Sequence, residues 1–242
     1  MPGKLRPLQG RAALITGATR GIGFAIAAAL ASQGCNLIIT GRDEVALSRA
    51  RAQLIASRVK ISARRCDVRD PGSVNDLFRA IRREFKRIDI LINNAGIAHP
   101  NLPVEKLPPS TWKDVIETNL TGLFLVSRAA IPLMPRGSAI VNNLSVAANR
   151  VFAGSSAYVA SKHGALGFTG TLREELRPKG IRVVALLPGA TDTDIWNSLW
   201  PEAPRQKMMP AAALATAVLN ALLLPPSATV ETLEIRPSAG TL

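Results

Sequence analysis

Short apolar segments alternate with helical segments along most of this chain, and this alternation constrains the fold more than any other feature. Seven segments are predicted to be strands: 12–16, 36–40, 60–68, 89–96, 139–145, 182–188 and 232–235. Most are nearly continuous in apolar residues, as in a parallel sheet covered on both faces. Five segments are predicted to be helices: 22–33, 43–56, 73–86, 110–132 and 157–177. Right-handed crossovers between such strands produce an α/β fold with a doubly wound, mostly parallel sheet.

The domain organisation follows from what the sequence lacks. No linker, repeat or low-complexity segment interrupts the 242 residues, so we expect one domain of the Rossmann type over 1–242. The segment 192–210 departs from the alternation, with Trp196, Trp200 and three prolines. It is interpreted as a substrate loop or lid, with a packed surface excursion as the equal alternative.

Composition indicates a soluble, cytoplasmic protein. The first ten residues lack the apolar core of a signal peptide, and the longest apolar run, around 211–224, is too short to span a bilayer. Cys35 and Cys66 are the only cysteines, which provides neither a disulfide framework nor a zinc site. With only two histidines, His99 and His163, far apart in the sequence, no metal site is predicted.

The formal net charge of +13 raises the question of a polyanionic partner. Basic residues cluster at 58–65 and 79–87, and the second cluster resembles the solvated face of an amphipathic helix. Aromatic residues make up only 4% of the chain, which argues against stacking platforms for single strands. Nucleic-acid binding is therefore not favoured.

A glycine-rich loop, "TGATRGIG" at 16–23, joins the first predicted strand to the first helix. Glycines at 17, 21 and 23 permit a tight turn and close approach of phosphates to the helix N-terminus. Three residues separate Gly17 from Gly21, so the spacing differs from the common G-x-G-x-x-G fingerprint. The placement of the loop between strand and helix nevertheless predicts dinucleotide binding.

Tyr158 is the only tyrosine, and Lys162 follows four residues later within a predicted helix. Residues four apart lie on the same helix face, so the ammonium can approach the phenol and lower its pKa toward working pH. The pair is a candidate acid/base device. A tyrosine and a lysine also fall four apart by chance on many helices, so this pair alone does not establish catalysis.

Six motifs in order resemble those of the short-chain dehydrogenase/reductase family over about residues 8–195. They are "TGATRGIG", "NNAG" (93–96), Asn119 in "ETNLTG", Ser145 in "NNLSVAA", "YVASK" (158–162) and "PGATDT" (188–193). The resemblance implies that Tyr158 is the general acid in carbonyl reduction and the base in alcohol oxidation. It further implies that Lys162 lowers the phenol pKa and holds the nicotinamide ribose, Ser145 stabilises the substrate oxygen, and Asn119 anchors a relay water.

The same resemblance implies a set of cofactor-binding residues. They are Gly17, Thr19, Arg20, Gly21, Ile22, Gly23, Arg42, Asp67, Val68, Asn94, Ala95, Gly96, Tyr158, Lys162, Pro188, Gly189, Thr191 and Thr193. Asn94 and Gly96 would lie near the adenosine ribose, Asp67 and Val68 would border the adenine, and 188–193 would hold the carboxamide. Thr191 departs from the valine or isoleucine often found there.

The end of the second strand predicts a preference for NADP(H) over NAD(H). Asp43 lies twenty residues after Gly23, about where an acid that binds the NAD ribose is sought. Arg42 precedes it at the strand tip, and Asp43 is better placed to cap the next helix. Arg20 provides a second cation, so both arginines are expected to face the 2′-phosphate.

The substrate class stays open at this stage. The resemblance implies hydride transfer between NADP(H) and a carbonyl or secondary alcohol, in a homodimer or homotetramer formed through the helices at 110–132 and 157–177. Similarity to bacterial 3-oxoacyl-carrier-protein reductases is general, and the closing "ETLEIRPSAG" departs from their glycine-rich tail. The alternatives are a non-catalytic dinucleotide-binding sensor or scaffold and a polyanion-binding protein with the same fold. His99 lies in a loop that can approach substrate.

Overall fold

A computed structural model describes residues 6–240, so both ends of the expected 1–242 domain lie outside the described residues. The strands are β1 (Ala12–Ile15), β2 (Asn36–Gly41), β3 (Ile61–Arg65), β4 (Ile90–Asn93), β5 (Ala139–Asn143), β6 (Arg182–Pro188), β7 (Thr191–Asp192), β8 (Met209–Pro210) and β9 (Thr232–Ile235). The helices are α1 (Gly21–Ser32), α2 (Glu44–Leu54), α3 (Pro71–Glu84), α4 (Pro109–Ile116), α5 (Gly122–Ala130), α6 (Ser156–Leu176), α7 (Trp196–Leu199) and α8 (Ala211–Leu222).

Seven strands form one parallel sheet in the order β3-β2-β1-β4-β5-β6-β9. The chain winds outward in both directions from β1, so the strand order reverses between β1 and β4. Ligands of open α/β sheets bind in the crevice at the carboxyl ends of the strands beside such a reversal. The doubly wound Rossmann-type fold predicted from the alternating pattern is confirmed.

Helices cover both faces of the sheet. Ile26 and Leu30 of α1, Leu47 of α2 and Leu214 of α8 pack in the core on one face. On the other face the core contains residues of α3, α5 and α6, among them Phe78, Val126 and Leu172. Each strand of the sheet's centre is buried on both sides, which explains its continuous apolar sequence.

Three features differ from the predicted elements. The helix expected over 110–132 contains a π turn at Glu117–Thr121, between α4 and α5. The apolar run near 211–224, considered only as a possible membrane span, contains α8, which packs on α1. A two-stranded parallel pairing of β7 with β8 closes the base of the segment 192–210. Among residues 6–240, no helix has the length and apolar character needed to cross a membrane.

Candidate active site

The predicted site residues lie around one cleft of about 800 Å³ at the carboxyl ends of the strands. The loops after β1, β2, β3, β4, β5 and β6 all border this cleft, because parallel strands end at the same sheet edge. Except for Gly23 and Asn119, every residue predicted to bind the cofactor or to act in catalysis lines it. Gly23 lies within α1, and Asn119 lies in the π turn.

The glycine loop has backbone conformations that explain two of its glycines. Gly17 and Gly21 have φ angles of +63° and +59°, a region that side-chain-bearing residues rarely adopt. A Cβ at position 17 would also come within 2.9 Å of the Ala95 backbone. The N-cap of α1, Arg20, makes no side-chain capping bond, and the first turn carries no acidic residue. The first N–H groups of α1 are therefore left to other partners.

Asn94 holds the glycine loop against β4. Its side-chain amide donates to the carbonyl oxygens of Thr16 and Gly17 at 3.0 and 2.9 Å. Its own Oδ1 accepts a hydrogen bond from Asn143 Nδ2 at 2.8 Å, which extends the link to β5. One side chain thus connects the glycine loop, the end of β4 and the end of β5.

Asp67 is held by Arg69 at the end of the cleft beyond β3. Arg69 Nη2 lies 2.7 Å from Asp67 Oδ2, and its Nε lies 3.1 Å from both carboxylate oxygens. This hydrogen bonding from Arg69 holds the pKa of Asp67 below its ordinary value. Val68 is buried against Gly122, where a Cβ would approach within 2.7 Å.

The two arginines predicted to face a 2′-phosphate lie in different surroundings. Arg42 is exposed at the tip of β2, and Asp43 caps α2 by accepting from Val45 and Ala46 N–H groups, as predicted. Arg20 instead forms an ion pair with Asp194, with Nη1 and Oδ2 3.2 Å apart, and both side chains are well exposed. In this structure Arg20 therefore bridges the glycine loop to the segment 192–210.

Tyr158 is half-buried in the cleft near Ser145. Burial raises the pKa of the Tyr158 phenol, and hydrogen bonding to the Ser145 side chain opposes this effect only in part. This direction is opposite to the lowered phenol pKa expected from Lys162. Lys162 Nζ lies 5.5 Å from the centroid of the Tyr158 ring, over the ring. The phenol is consequently protonated at neutral pH.

Lys162 is a buried cation with one protein acceptor. Its Nζ donates to the Asn143 carbonyl oxygen at 3.2 Å, and only 6% of the residue is exposed. Desolvation by burial lowers the pKa of Lys162 from 10.5 to about 8. Two of its three N–H donors have no partner among the described residues, so they are available to a ligand.

Ser145 begins a short 3₁₀ turn after β5. Its Oγ accepts from Ala147 N at 3.1 Å. Because this oxygen serves as an acceptor, the hydroxyl hydrogen is directed elsewhere. The Ser145 side chain thus presents a donor to the cleft beside Tyr158.

Asn119 organises the π turn. Its Oδ1 accepts from Ile97 N at 2.8 Å, and its Nδ2 donates to Ile97 O at 2.9 Å and to Ser161 Oγ at 3.0 Å. Ser161 in turn donates to the Tyr158 carbonyl oxygen at 2.7 Å. The Asn119 side chain therefore links the loop after β4 to the helix that carries Tyr158 and Lys162.

The segment 192–210 is anchored at its base and lines the cleft. Trp196 Nε1 donates to Thr191 O at 2.9 Å, and Arg205 Nη1 contacts Asp192 Oδ1 and Thr193 O at 2.8 and 2.7 Å. Trp196 and Trp200 both border the cleft. Pro188, Gly189 and Thr191 also line the cleft, and the Thr191 hydroxyl donates to Gly189 O.

Sequence reasoning missed several residues that shape the site. Arg69, Asn143, Ser161, Asp194 and Arg205 fix or neighbour the predicted residues through the contacts described above. Ser161 lies inside the "YVASK" motif and Asn143 just before Ser145, so proximity to a motif was the available signal. Arg69, Asp194 and Arg205 offered none, because their partners are set by tertiary structure. Among residues 6–240, no group of three or more potential metal ligands occurs.

Comparison with known proteins identifies relatives over most of the chain. A sequence profile described as short chain dehydrogenase matches residues 11–204. The chain is 37% identical to the 3-oxoacyl-[acyl-carrier-protein] reductase FabG of Escherichia coli over 195 residues, covering 79% of this chain and 78% of that protein. It is 38% identical to a 3beta-hydroxysteroid dehydrogenase of Mediterraneibacter gnavus, covering 75% and 66%. An alcohol dehydrogenase from Thermococcus sibiricus, solved with 5-hydroxy-NADP, superposes with a TM-score of 0.89 at 30% identity, covering 95% and 97%.

Proposed function

The chain belongs to the short-chain dehydrogenase family, and on this basis we propose that Tyr158 is the general acid with which it reduces a carbonyl substrate. The protein is an oxidoreductase that transfers hydride between NADP(H) and a carbonyl or alcohol. The observation that carries the assignment is the convergence of Ser145, Tyr158 and Lys162 on one cleft.

The cleft fits a phosphorylated dinucleotide. At Gly17 and Gly21 the loop after β1 has no side chain, so a pyrophosphate can approach its backbone closely. The uncapped start of α1 offers N–H groups to that pyrophosphate. Arg42 at the tip of β2 is a cation for a 2′-phosphate, with Arg20 available once it leaves Asp194. The remaining predicted contacts line the same cleft: Thr19, Ile22, Asp67, Val68, Asn94, Ala95, Gly96, Pro188, Gly189, Thr191 and Thr193. NADPH, when bound, supplies the hydride.

The protein supplies the proton and its delivery. Tyr158 donates to the carbonyl oxygen, and the burial that raises its pKa keeps the phenol in the acid form needed for reduction. The Ser145 Oγ already accepts from Ala147 N, so its hydroxyl hydrogen is free to donate to the substrate carbonyl oxygen. This hydrogen bond stabilises the charge that develops on the carbonyl oxygen. Lys162 directs its two remaining donors to ribose hydroxyls.

Asn119 acts as a positioning residue with a place in proton resupply. Both of its amide hydrogens already have partners, in Ile97 and Ser161, so a relay water donates to Asn119 instead of accepting from it. Through Ser161 the same amide steadies the turn of α6 that holds Tyr158.

A non-catalytic sensor or scaffold has no support. The named relatives are reductases and dehydrogenases, and the three residues needed for proton transfer all border the cleft. We extend the proposal to the segment 192–210, which serves as the substrate loop because Trp196 and Trp200 line the cleft beside the catalytic residues. The two buried free thiols, Cys35 and Cys66, suit a reducing compartment, and we place the protein in the cytoplasm.

We also propose a homodimer or homotetramer formed through α5 and α6. Phe124 of α5 is 42% exposed and contacts the Phe168 ring edge-to-face, with centroids 6.2 Å apart. On α6, a Cβ at Gly167 or Gly170 would meet nothing within 4 Å, so this face can approach another helix closely. An exposed aromatic side chain beside glycines that let a second helix approach suits a symmetric contact with a second copy.

The function is tested by Tyr158→Phe assayed for NADPH oxidation with a panel of ketones. We expect turnover to fall by roughly 10²–10⁴-fold, the usual contribution of a positioned acid, while NADPH affinity changes little. Ile55→Val, at an exposed position outside the cleft and outside α5 and α6, serves as the control. A Tyr158→Phe enzyme with more than about a tenth of the original activity would remove Tyr158 from this role.

A further inference from the structure

His99 is a buried residue, and one of its two ring nitrogens has no hydrogen-bond partner within residues 6–240. Only 1% of the residue is exposed, and Nδ1 lies 2.7 Å from the Pro100 carbonyl oxygen. A carbonyl oxygen can only accept, so the hydrogen is on Nδ1 and, in the neutral ring, Nε2 is an acceptor. Nε2 is buried and has no hydrogen-bond partner within residues 6–240. Buried polar groups without a partner are rare and call for an explanation.

His99 borders a second pocket of about 630 Å³ beside the cleft. The two spaces adjoin, because both are lined by Ile97, Ala98, Asn101, Ser198, Leu199 and Trp200. A substrate whose carbonyl lies near Tyr158 can extend from the cleft into this side pocket.

Most other polar side chains of the side pocket are engaged or exposed, whereas Thr111 is half-buried and its hydroxyl has no hydrogen-bond partner within residues 6–240. Asn101 accepts from Ser155, Asp114 pairs with Arg69, and Asn197 accepts from Arg205. Ser198 and Glu202 are exposed. Among the polar atoms of this pocket, His99 Nε2 is the fully buried acceptor that lacks a partner within residues 6–240, and a ligand hydroxyl would satisfy it.

The surroundings define what such a ligand looks like. Val146, Phe152, Trp196, Leu199 and Trp200 border the cleft on the substrate side, and they favour an apolar body. The ionisable side chains lining the side pocket, besides His99, are the acids Asp114 and Glu202. They disfavour a carboxylate or phosphate there, whereas a neutral hydroxyl donor matches Nε2.

We propose that His99 recognises a hydroxyl at the far end of an apolar carbonyl substrate, with Nε2 accepting its hydrogen bond in the side pocket. This inference rests on the proposed function, since it places the substrate carbonyl near Tyr158. His99 makes no proton transfer in it and acts as a specificity-determining residue.

Nitrogen NMR of histidine-labelled protein tests the contact directly, because the chain has only two histidines. His163, on α6 with Nδ1 bonded to Val159 O, is assigned by His163→Asn. The probes are straight-chain methyl ketones of increasing length, each with and without a terminal hydroxyl, added to enzyme saturated with NADP⁺. We expect the His99 Nε2 signal to move with a hydroxylated ketone of suitable length and to stay in place with its plain partner.

Steady-state kinetics with NADPH and the same ketone pairs provide the second readout. At the fitting length the hydroxyl should raise kcat/KM by roughly three- to tenfold, the net value of one neutral hydrogen bond. His99→Leu should abolish that advantage, whereas His163→Asn should retain it.

The outcomes separate the two proposals. Turnover of ketones without a hydroxyl advantage at any length, together with an unmoved His99 signal, overturns the role of His99 and leaves Tyr158 in place. Absence of any ketone reduction by the wild type overturns the proposed function instead. If His99→Leu fails to fold, the NMR comparison on wild-type protein decides.

Discussion

Replacing Lys162 with methionine should make the protein more stable while it abolishes activity. Methionine has a similar length but no charge, so the variant removes a cation that burial disfavours. The pKa of Lys162 is lowered from 10.5 to about 8 by desolvation. At neutral pH this corresponds to roughly 3 kcal/mol of lost stability, since a tenfold change in proton affinity is worth about 1.4 kcal/mol. The lost hydrogen bond to Asn143 O offsets about 1 kcal/mol of the gain.

The net gain of about 2 kcal/mol has a characteristic pH dependence. Below pH 8 both the folded and the unfolded protein hold the Lys162 proton, so the wild type carries the full penalty. As pH rises from about 8 toward 10.5, the folded state releases the proton and the unfolded state keeps it, so wild-type stability increases. The advantage of Lys162→Met should therefore fall by roughly 2 kcal/mol between pH 7 and about pH 9.5.

Thermal and urea unfolding of the cofactor-free proteins measure this difference. For a chain of this size, 2 kcal/mol corresponds to a rise in Tm of about 4–8 °C. Lys179→Met, at an exposed lysine, is the matched control and should change stability little. Equal stabilities of wild type and Lys162→Met at pH 7, or a gap that stays constant as pH rises, would refute a desolvated ammonium at this position.

Three further predictions concern cofactor preference and assembly. Arg42→Ala should lower kcat/KM with NADPH by about ten- to a hundredfold and spare NADH, whereas Arg64→Ala, whose guanidinium is held by Glu84, should not alter the preference; equal losses with both cofactors would contradict a role at the 2′-phosphate. Asp194→Asn frees Arg20 from an exposed ion pair and should tighten NADPH binding by up to about fivefold in a fluorescence titration; weaker binding would show that Arg20 does not reach the phosphate. Light scattering at micromolar concentration should find a dimer or tetramer for the wild type and smaller species for Phe124→Lys; a monomeric wild type would exclude the proposed contact.

The fold was predictable because its determinants are local and periodic. Central strands such as β1 and β5 are buried on both faces, and their continuous apolar sequences indicate this burial directly. Helix α8 was not predicted, although its sequence is apolar and alanine-rich, because an apolar run without a polar face does not reveal the tertiary packing against α1 that buries it. The π turn was not predictable, since it depends on Asn119 meeting the Ile97 backbone across the fold.

The residues of the candidate site that belong to sequence motifs were predictable. The pKa shifts and ion pairs of these residues were not. Spacing on a helix places Lys162 near Tyr158, but it cannot reveal that Lys162 is buried and Tyr158 half-buried. Burial reverses the expected direction for Tyr158, whose pKa rises, and it lowers the pKa of Lys162. Likewise, the position of Arg20 in the glycine loop predicted a cation near the phosphate. Its ion pair with Asp194 was not predictable, because it forms only when the segment 192–210 folds back onto the glycine loop.

Side-chain amides hold the site together where the strands end. Asn94 joins the loop after β1 to β4 and β5, and Asn119 joins the loop after β4 to α6. Each amide offers both donors and an acceptor, so a single asparagine can fix two backbone segments that no sheet ladder connects. The segments that carry the catalytic groups are therefore each fixed by several hydrogen bonds. Such support is needed because burial disfavours the charged form of Lys162 and lowers its pKa. In a looser scaffold water would reach the ammonium, and the pKa would return toward its ordinary value.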